Sequence, residues 1–205
     1  NLVGAFYPPQ AVYIDPLVLH TLPEIFFYDG LAEVIKYACI KDAALFAMLS
    51  ELHSRTVIQD NIGRIVQTCL EIKKNYVELD EFDTGERMFL NFGHTIGHAL
   101  EKHFNFTGYT HGQAVAIGMN TLTQAAEHLG LTQSGTAAQL RDLLQQYQLP
   151  QSLPEHTPEF KRALLAAMAV DKKNLDKQLN LILIEQIGRS FIYKTTAEDM
   201  KKFID

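Results

Sequence analysis

The segment Asn91-Phe-Gly-His-Thr-Ile-Gly-His-Ala-Leu-Glu101 decides most of what the sequence predicts about the fold. His94 and His98 are four residues apart, so on a helix with about 3.6 residues per turn both imidazoles leave the same face. Gly93 and Gly97 remove side chains from this segment, and a glycine inside a helix costs about 1 kcal/mol relative to alanine. The pattern indicates that function and close approach, rather than helix stability, selected these residues.

A third histidine, His111, begins the apolar segment that follows. Spacing alone nominates His94 and His98 as an i, i+4 pair of metal ligands, with His111 as the third ligand. Histidine and carboxylate ligands suit Zn²⁺ and its neighbours, and a catalytic site leaves one coordination position open. The alternative is that one of these histidines is a hydrogen-bonded core residue. The sequence favours a metal site, because all three imidazoles can converge.

The segment from Gly30 to Tyr37 places a carboxylate in an otherwise apolar run. Glu33 needs a partner there, because burial of an unpaired charge is strongly unfavourable. A metal ion could be that partner, and so could the ammonium of Lys36, one turn along. The alternative is a simple i, i+3 ion pair on a solvated helix face. The residues of this segment alone leave both interpretations open.

Several cations lie near the ends of predicted helices, namely Lys73, Arg87 and the pair Lys172-Lys173. Arg87 precedes Asn91 by four residues and His94 by seven, so a continuous helix would place all three on one face. An arginine beside a metal suits a carboxylate or phosphate ligand. The alternative is that these side chains are exposed charges, as most lysines and arginines are.

The composition argues against several classes of partner. The chain has 205 residues, of which 47% are hydrophobic, enough for one sizeable core. Its formal net charge is −6 without any cluster of four basic residues, so neither nucleic acid nor an anionic membrane surface is expected as a main partner. It also lacks an uncharged apolar stretch of about 18 residues and a basic leader, so we expect no membrane span, no signal peptide and a cytoplasmic location.

Other features bear on compartment and extent. Cys39 and Cys69 have no metal-type spacing, so we expect free thiols in a reducing compartment. Neither a Gly-x-Gly-x-x-Gly motif, nor a Walker loop, nor Gly-x-Ser-x-Gly is present, so no glycine-rich loop of this chain holds nucleotide phosphates. The chain begins Asn1-Leu-Val-Gly without methionine, and we expect a fragment of a longer protein.

The periodicity predicts one mainly α-helical domain over residues 1–205 with a small β-hairpin. A short buried strand is predicted over 11–15, and a helix capped by Thr21 is predicted to run to about 50 with a break at Asp29-Gly30. Further helices are predicted at about 55–76, 86–103, 111–128, 135–147 and 158–170, the last one capped by Thr157. The hairpin pairs 179–184 with 189–193 around Gly188, and Thr195 with Glu198 caps a last short helix.

Six segments together resemble 3-dehydroquinate synthase, in that family's order and spacing, and the match extends over all 205 residues. They are Asn1-Leu-Val-Gly-Ala-Phe6, Thr21-Leu-Pro23, Gly30-Leu-Ala-Glu-Val-Ile-Lys36, Asn91-Phe-Gly-His-Thr-Ile-Gly-His98, His111-Gly-Gln-Ala-Val-Ala-Ile-Gly-Met119 and Asp171-Lys-Lys173. The resemblance implies the C-terminal, helical metal domain of an NAD-dependent, homodimeric enzyme. It also implies that the N-terminal Rossmann-like domain, which carries most of the NAD site, is absent from this chain.

The resemblance implies a ligand set that differs from the one favoured by spacing. It implies that Glu33, His94 and His111 bind Zn²⁺ or Co²⁺, while His98 faces substrate. It implies substrate contacts from Asn1, Lys36, Lys73, Arg87, Asn91, His98 and one of Lys172 and Lys173. It places NAD beside Val18, Leu19, His20 and Thr21, with Asp29 next to that site. Asp29 and Gln113 stand where the family usually has serine or asparagine and glutamate, respectively, and neither change removes an implied ligand.

Three functions are open to a chain with these motifs. The resemblance favours 3-dehydroquinate synthase, which converts 3-deoxy-D-arabino-heptulosonate 7-phosphate into 3-dehydroquinate and phosphate in the shikimate pathway. The first alternative is a related sugar-phosphate cyclase, such as 2-deoxy-scyllo-inosose synthase or a sedoheptulose 7-phosphate cyclase, with the same metal ligands but a different pocket for the substrate. The second is a non-enzymatic metal-binding module. As a fragment, the chain is expected to be inactive alone.

Overall fold

The computed structural model describes residues 9–81, 85–170, 178–196 and 198–204, which contain eight α-helices, three 3-10 helices and one β-hairpin. The α-helices are α1 (Glu24–Lys41), α2 (Ala43–Glu51), α3 (Arg55–Asp60), α4 (Ile62–Leu79), α5 (His94–His103), α6 (His111–His128), α7 (Thr136–Gln146) and α8 (Pro158–Val170). The strands are β1 (Gln178–Gln186) and β2 (Arg189–Thr196), and the 3-10 helices are Pro16–Thr21, Glu86–Asn91 and Asp199–Phe203. The predicted mainly α-helical class with a hairpin is confirmed.

Helix α6 lies between two apolar cores. Its residues from His111 to Ala126 include no aspartate, glutamate, lysine or arginine, and most of them are buried, as suits a helix inside the fold. Val115 and Met119 belong to a core shared with α1, α2, α4 and α7, whereas Ile117 and Leu122 belong to a second core shared with α5 and α8. The first residue of α6, His111, is thereby fixed relative to α1 and α5.

Helices α5 and α6 approach each other through glycines. Gly93 precedes α5 with a left-handed backbone (φ 79°), and a Cβ at Gly118 would lie 2.1 Å from the carbonyl oxygen of Gly93. A Cβ at Gly97 would lie 3.2 Å from the backbone of Ala114. The close approach that the sequence predicted around Gly93 and Gly97 is therefore, in this structure, made by the backbone of α6.

The hairpin packs against both cores, because successive residues of β1 face opposite sides of the strand. In β1, Leu181 and Leu183 are buried in the core shared with α8, while Ile182 and Ile184 are buried in the core shared with α1. The turn contains Gly188, as the sequence predicted. The structure adds that this residue is left-handed (φ 82°) and that its N–H donates to the carbonyl of Cys39 at 2.9 Å. This contact fixes the turn against the end of α1.

The prediction for the first described segment is wrong. Residues 11–15 form no strand, and Tyr13 is 94% exposed, because no neighbouring strand is present among the described residues to pair with this β-branched run. Thr21 does not cap α1; it ends the 3-10 helix and donates its hydroxyl proton to the carbonyl of Val18 at 3.2 Å. The long helix breaks at Asp42, whose side chain caps α2, rather than at Asp29-Gly30.

Three further boundaries differ from prediction. The helix predicted at about 55–76 is divided into α3 and α4 at Asn61. The helix predicted at about 86–103 is interrupted by the left-handed Gly93, so Glu86–Asn91 forms a separate 3-10 helix. The last short helix has Glu198 at its N-cap position without a side-chain cap, and the hydroxyl that accepts from its first N–H, that of Asp199 at 3.1 Å, belongs to Thr196 and not to Thr195. In contrast, α6 begins and ends where predicted, and Thr157 caps α8 through the Phe160 N–H at 3.2 Å.

Among the described helices, none combines the length and the apolar character that a membrane crossing requires.

Candidate metal centre and adjoining cavity

Three helices each bring one side chain with metal-ligating chemistry to a common point. Glu33 lies in the middle of α1, His94 is the first residue of α5 and His111 is the first residue of α6. One ligand atom from each of these side chains lies within 4.8 Å of the other two. A carboxylate with two imidazoles matches the donor set of catalytic zinc sites, which use three protein ligands.

The distances within this group suit a tetrahedral ion. Oε1 of Glu33 lies 3.3 Å from Nε2 of His94 and 3.5 Å from Nε2 of His111. Zinc bonds to nitrogen and oxygen of about 2.0 to 2.1 Å give tetrahedral edges of about 3.3 Å. The Glu33–histidine separations are therefore those of ligands that share one ion.

The other nitrogen of each ring is already engaged, which fixes the ring orientation. Nδ1 of His94 lies 3.1 Å from the carbonyl oxygen of Phe92, and Nδ1 of His111 lies 3.1 Å from Oε1 of Glu101. An imidazole that donates through Nδ1 presents the lone pair of Nε2, and this arrangement is typical of histidines that bind metals. Both Nε2 atoms are the ones that face Glu33.

The carboxylate of Glu33 has one paired oxygen and one oxygen without a donor. Oε2 accepts a hydrogen bond from Nζ of Lys36 at 2.5 Å, and Lys36 is itself 3% exposed. Oε1 is buried and accepts no hydrogen bond within the described residues. Burial by itself would raise the pKa of this carboxyl, but the neighbouring His111, His94 and Lys36 outweigh it and hold the pKa far below its usual value. A buried, ionised oxygen without a donor is suited to a cation.

The surroundings of His111 favour positive charge. The contact with Glu33 is the largest influence on its ring and, together with Glu101 and against partial burial, raises the pKa of His111 to about 9. Two carboxylates therefore face the two nitrogens of one imidazole.

His98 stands beside the centre. Its ring centroid lies 5.3 Å from that of His94 and 6.1 Å from that of His111, so the three imidazoles converge. Within the described part of the chain, however, the groups with ligand atoms close enough for one ion are Glu33–His94–His111 and His98–Glu101–His111. The trio that spacing nominated, with His98 in place of Glu33, is not among these groups.

A cavity of about 320 Å³ adjoins the metal centre. His94, His98 and Asn91 line it, with Met168 of α8 and Asn180 of β1. A wider pocket of about 570 Å³ lies on the side of His111. The cavities share Glu101 and Phe106 as lining residues, so they flank the same part of the site.

The predicted cationic residues differ in their exposure and in their contacts. Lys73 is exposed on α4, and its charge contributes to the lowering of the pKa of Lys36 that burial chiefly causes. Arg87 is half-buried and its Nη1 donates to the carbonyl of Glu81 at 2.9 Å. The break at Gly93 means that Arg87 does not share a helix face with His94. Asn1, Lys172 and Lys173 lie outside the described residues.

The residues that the resemblance placed beside NAD lie on and next to the first 3-10 helix. Val18, His20 and Thr21 are exposed and Leu19 is partly buried. Arg55 was not identified from sequence; its Nη2 donates to the carbonyls of Leu19 at 3.1 Å and Leu22 at 2.7 Å. No local sequence signal marks this contact, because its partners are distant in the chain.

Two site residues were missed although the sequence contained a signal for each. Glu101 follows His94 by seven residues and His98 by three, so it belongs to their helix face. Asn180 is the one polar residue in the run Leu179-Asn-Leu-Ile-Leu-Ile184, and a polar residue in an apolar strand indicates a special environment.

Comparison with known proteins places this arrangement in a family. The family described as 3-dehydroquinate synthase C-terminal matches residues 30–174. The 3-dehydroquinate synthase of Clostridium beijerinckii is 50% identical over 198 residues, which are 97% of this chain and 56% of that protein. The enzyme of Enterococcus faecalis is 38% identical over 205 residues, with 100% and 56% covered. The chain thus spans a little more than half the length of these relatives.

Solved structures show the same fold. The 2-epi-5-epi-valiolone synthase of Streptomyces hygroscopicus, solved with NAD⁺ and Zn²⁺, matches with a TM-score of 0.83 and 25% identity over 99% of this chain and 57% of that protein. A 2-deoxy-scyllo-inosose synthase, complexed with carbaglucose-6-phosphate, NAD⁺ and Co²⁺, matches with a TM-score of 0.80 and 24% identity over 100% and 58%. With the family match over residues 30–174, the chain belongs to the 3-dehydroquinate synthase family and carries its C-terminal domain.

Proposed function

We propose that this chain forms the metal- and substrate-binding part of a 3-dehydroquinate synthase, which converts 3-deoxy-D-arabino-heptulosonate 7-phosphate into 3-dehydroquinate and phosphate. The observation that carries the proposal is Oε1 of Glu33, buried without a donor among the described residues and 3.3 and 3.5 Å from two imidazole nitrogens. Identities of up to 50% to proteins of that name support the choice of reaction.

In this proposal Glu33, His94 and His111 would hold a divalent ion, Zn²⁺ or Co²⁺, beside the adjoining cavity. When bound, the ion supplies a Lewis acid for oxygens of the substrate. Lys36 keeps Glu33 ionised and oriented through its contact of 2.5 Å. Glu101 keeps the ring of His111 oriented through Nδ1. These contacts pre-organise the ligands, so little rearrangement is needed when the ion binds.

The substrate is proposed to occupy the cavity of about 320 Å³, where His98 and Asn91 offer polar groups next to His94. The residues proposed to contact it are Asn1, Lys36, Lys73, Arg87, Asn91, His98 and one of Lys172 and Lys173. Carboxylate and phosphate groups bind strongly to cationic donors through charge-assisted hydrogen bonds. Holding both ends of a flexible sugar phosphate in this way favours intramolecular ring closure.

NAD⁺ is proposed to bind mainly to the part of the enzyme beyond these 205 residues, with Val18, Leu19, His20 and Thr21 at its edge and Asp29 nearby. The nicotinamide supplies reversible hydride transfer, while protein groups orient it. The whole enzyme is proposed to be a homodimer, which sedimentation of the NAD-bound protein checks. The chain alone is proposed to bind metal without turnover.

The test joins this chain to the part of the Clostridium beijerinckii relative that it does not match, and measures phosphate release with NAD⁺ and Zn²⁺. The expected result is phosphate release from 3-deoxy-D-arabino-heptulosonate 7-phosphate that requires NAD⁺ and is lost with Glu33→Ala. The matched control is Glu71→Ala. Glu71 is an exposed carboxylate on α4, away from the site, and it accepts a hydrogen bond from the Gln67 amide at 2.9 Å. Absence of release from a joined protein that binds both zinc and NAD⁺ would contradict the proposal.

A second candidate is a related sugar-phosphate cyclase, favoured by the TM-scores of 0.83 and 0.80 to two such enzymes. These enzymes would differ from a 3-dehydroquinate synthase in the part of the pocket that binds the carboxylate of its substrate. Supplying the joined protein with sedoheptulose 7-phosphate and 3-deoxy-D-arabino-heptulosonate 7-phosphate in one mixture separates the two functions. Preferential consumption of sedoheptulose 7-phosphate would select the cyclase.

A further inference from the structure

The carboxylate of Asp29 joins the helix that carries Glu33 to the helix that carries His111. Its Oδ1 accepts a hydrogen bond from the hydroxyl of Thr110 and another from the backbone N–H of Gln113 at 2.9 Å. Thr110 is the N-cap of α6, and Gln113 belongs to its first turn. Asp29 itself belongs to α1, one turn before Glu33. A side chain of one helix therefore caps the start of the other.

The backbones of the two helices are in contact at the same place. A Cβ at Gly112 would lie 2.1 Å from the carbonyl oxygen of Asp29, a distance that no side chain tolerates. Gly112 follows His111 directly, so glycine is required for the approach that the cap of Asp29 maintains. The side chain of Gln113 completes the junction, because its Oε1 accepts from the Thr110 N–H at 3.2 Å.

The residues that meet at Asp29 lie on either side of one candidate ligand, His111, and Asp29 itself lies one helical turn from another, Glu33. Thr110 and Gln113, the two donors to Asp29, lie on either side of His111 in sequence. From Asp29 to Glu33 the chain is continuous α-helix, which is rigid over a single turn and rises about 6 Å. Oε1 of Glu33 and Nε2 of His111, which lie 3.5 Å apart, therefore belong to two segments that meet at the Asp29 carboxylate.

We propose that Asp29 is a positioning residue for the metal centre, and that its carboxylate sets the distance between Glu33 and His111 by fixing the start of α6 to α1. The inference rests on the proposed metal site of Glu33, His94 and His111. It assigns to Asp29 a role that does not depend on nucleotide, although this residue was expected beside NAD. The acceptor Oδ1 is the essential atom, so an asparagine side chain should perform the same task.

The experiment measures metal affinity of the 205-residue chain in the absence of nucleotide, for Asp29→Ala, Asp29→Asn and the control Asp42→Ala. Asp42 is matched because it also caps a helix through Oδ1, accepting from the Leu45 N–H at 2.9 Å, but it joins α1 to α2 rather than to a ligand-bearing helix. Zinc affinity is measured by competition with a chromophoric chelator. The visible absorption of bound Co²⁺ reports the coordination geometry.

The expected result is a loss of zinc affinity of roughly tenfold or more in Asp29→Ala, the size typical of residues that orient metal ligands, together with an altered Co²⁺ spectrum. Asp29→Asn should stay within about threefold of the unmodified chain and keep its spectrum, in line with an acceptor role. Asp42→Ala should lower the thermal midpoint without change in either metal readout. Circular dichroism confirms that each variant is folded at the temperature used.

Two outcomes overturn the inference while leaving the metal site standing. In one, Asp29→Ala binds zinc as tightly as the unmodified chain with the same Co²⁺ spectrum. In the other, Asp42→Ala and Asp29→Ala lose the same affinity, which would reveal a general loss of stability. Failure of the unmodified chain to bind zinc at all would instead overturn the metal site of the proposed function.

Discussion

At Glu33 the two carboxylate oxygens have different tasks. Oε2 is paired with the ammonium of Lys36 at 2.5 Å, whereas Oε1 faces His94 and His111. The sequence left open whether Glu33 meets a metal or Lys36, and the structure shows that one oxygen bonds Lys36 while the other remains available. A single carboxylate can therefore serve a structural ion pair and a metal centre together.

The ion pair can be separated from the metal site by a double-mutant cycle without metal. Glu33→Ala leaves Lys36 buried without its partner, and a buried polar group without a partner lowers the free energy of unfolding by about 1–3 kcal/mol. Lys36→Met in the same chain removes the stranded charge, so Glu33→Ala/Lys36→Met should regain most of that loss. Urea denaturation in the presence of a chelator measures each variant. A loss in the double variant equal to the sum of the losses in Glu33→Ala and Lys36→Met alone would show that the pair has no energetic coupling.

Glu101 gives a second prediction at the residue scale. Glu101→Ala removes the acceptor of His111 Nδ1, so the ring loses its orientation and zinc affinity should fall by roughly 10- to 100-fold. Isothermal titration with zinc measures the change. Glu71→Ala, which removes an exposed carboxylate from α4, serves as the control and should bind as the unmodified chain does. A reduction in the number of bound ions without loss of affinity would instead assign Glu101 to a second ion with His98.

At the scale of elements, the meeting of α5 and α6 depends on residues without side chains. Gly93 adopts the left-handed conformation that ends the 3-10 helix and begins α5, and Gly118 lets the backbone of α6 reach it. His94 follows Gly93 directly, so the same contact that joins the helices also places a candidate ligand. Gly93 and Gly97, which the sequence analysis marked as costly inside a helix, both allow this close contact with α6.

Alanine at a packed glycine and at an unpacked one should distinguish the effect of packing on stability from that of helix propensity. Gly118→Ala would place a Cβ 2.1 Å from the Gly93 carbonyl oxygen, and overpacking of this kind costs about 1–3 kcal/mol of the free energy of unfolding. Gly63→Ala is the matched control, because Gly63 lies inside α4 with nothing within 4 Å of its would-be Cβ. Gly63 is the second residue of α4, so alanine there should stabilise the chain by less than the roughly 1 kcal/mol of a helix interior. Chemical denaturation measures the change in the free energy of unfolding for both variants. Stabilisation by Gly118→Ala would refute the close contact between Gly118 and Gly93.

Local patterns predicted the elements better than their ends. The apolar run of α6 and the hairpin around Gly188 were found from sequence because composition and turn residues mark them locally. The strand over 11–15 was wrong because β-branched residues indicate a strand only where a partner strand is present. The break at Gly93 was missed because its left-handed backbone is stabilised by contact with α6, which is distant in sequence.

At the scale of the whole molecule, metal binding should couple to folding. The three candidate ligands come from α1, α5 and α6, so an ion bound by all of them binds the folded chain in preference to the unfolded one. Free zinc at about 100 times its dissociation constant should add about 2.7 kcal/mol to the free energy of unfolding. Thermal denaturation with and without zinc measures the shift. Glu33→Ala should show none, and an equal shift in that variant would mean that zinc binds elsewhere.

Several exposed apolar residues lie close together in sequence near the start of the described chain. Val12, Leu17 and Val18 are each more than 60% exposed, next to the segment held by Arg55. Single exposed apolar residues are ordinary, but a group of them marks a surface prone to association. Its position beside the residues expected near NAD is in keeping with the proposal that the nucleotide contacts of the whole enzyme extend beyond this chain.

The sequence by itself determined the helical class, the hairpin and the family, and it nominated His94 and His111 as ligands, because periodicity, turn residues and motifs are local features of the chain. It also marked Glu33 as a charge in need of a partner. Only the tertiary structure decided which oxygen of Glu33 faces the two histidines, that Glu101 contacts His111 while Asp29 contacts its neighbours Thr110 and Gln113, and that α5 begins after a left-handed glycine. These outcomes depend on contacts between helices far apart in sequence, and such contacts form only when both cores pack around α6.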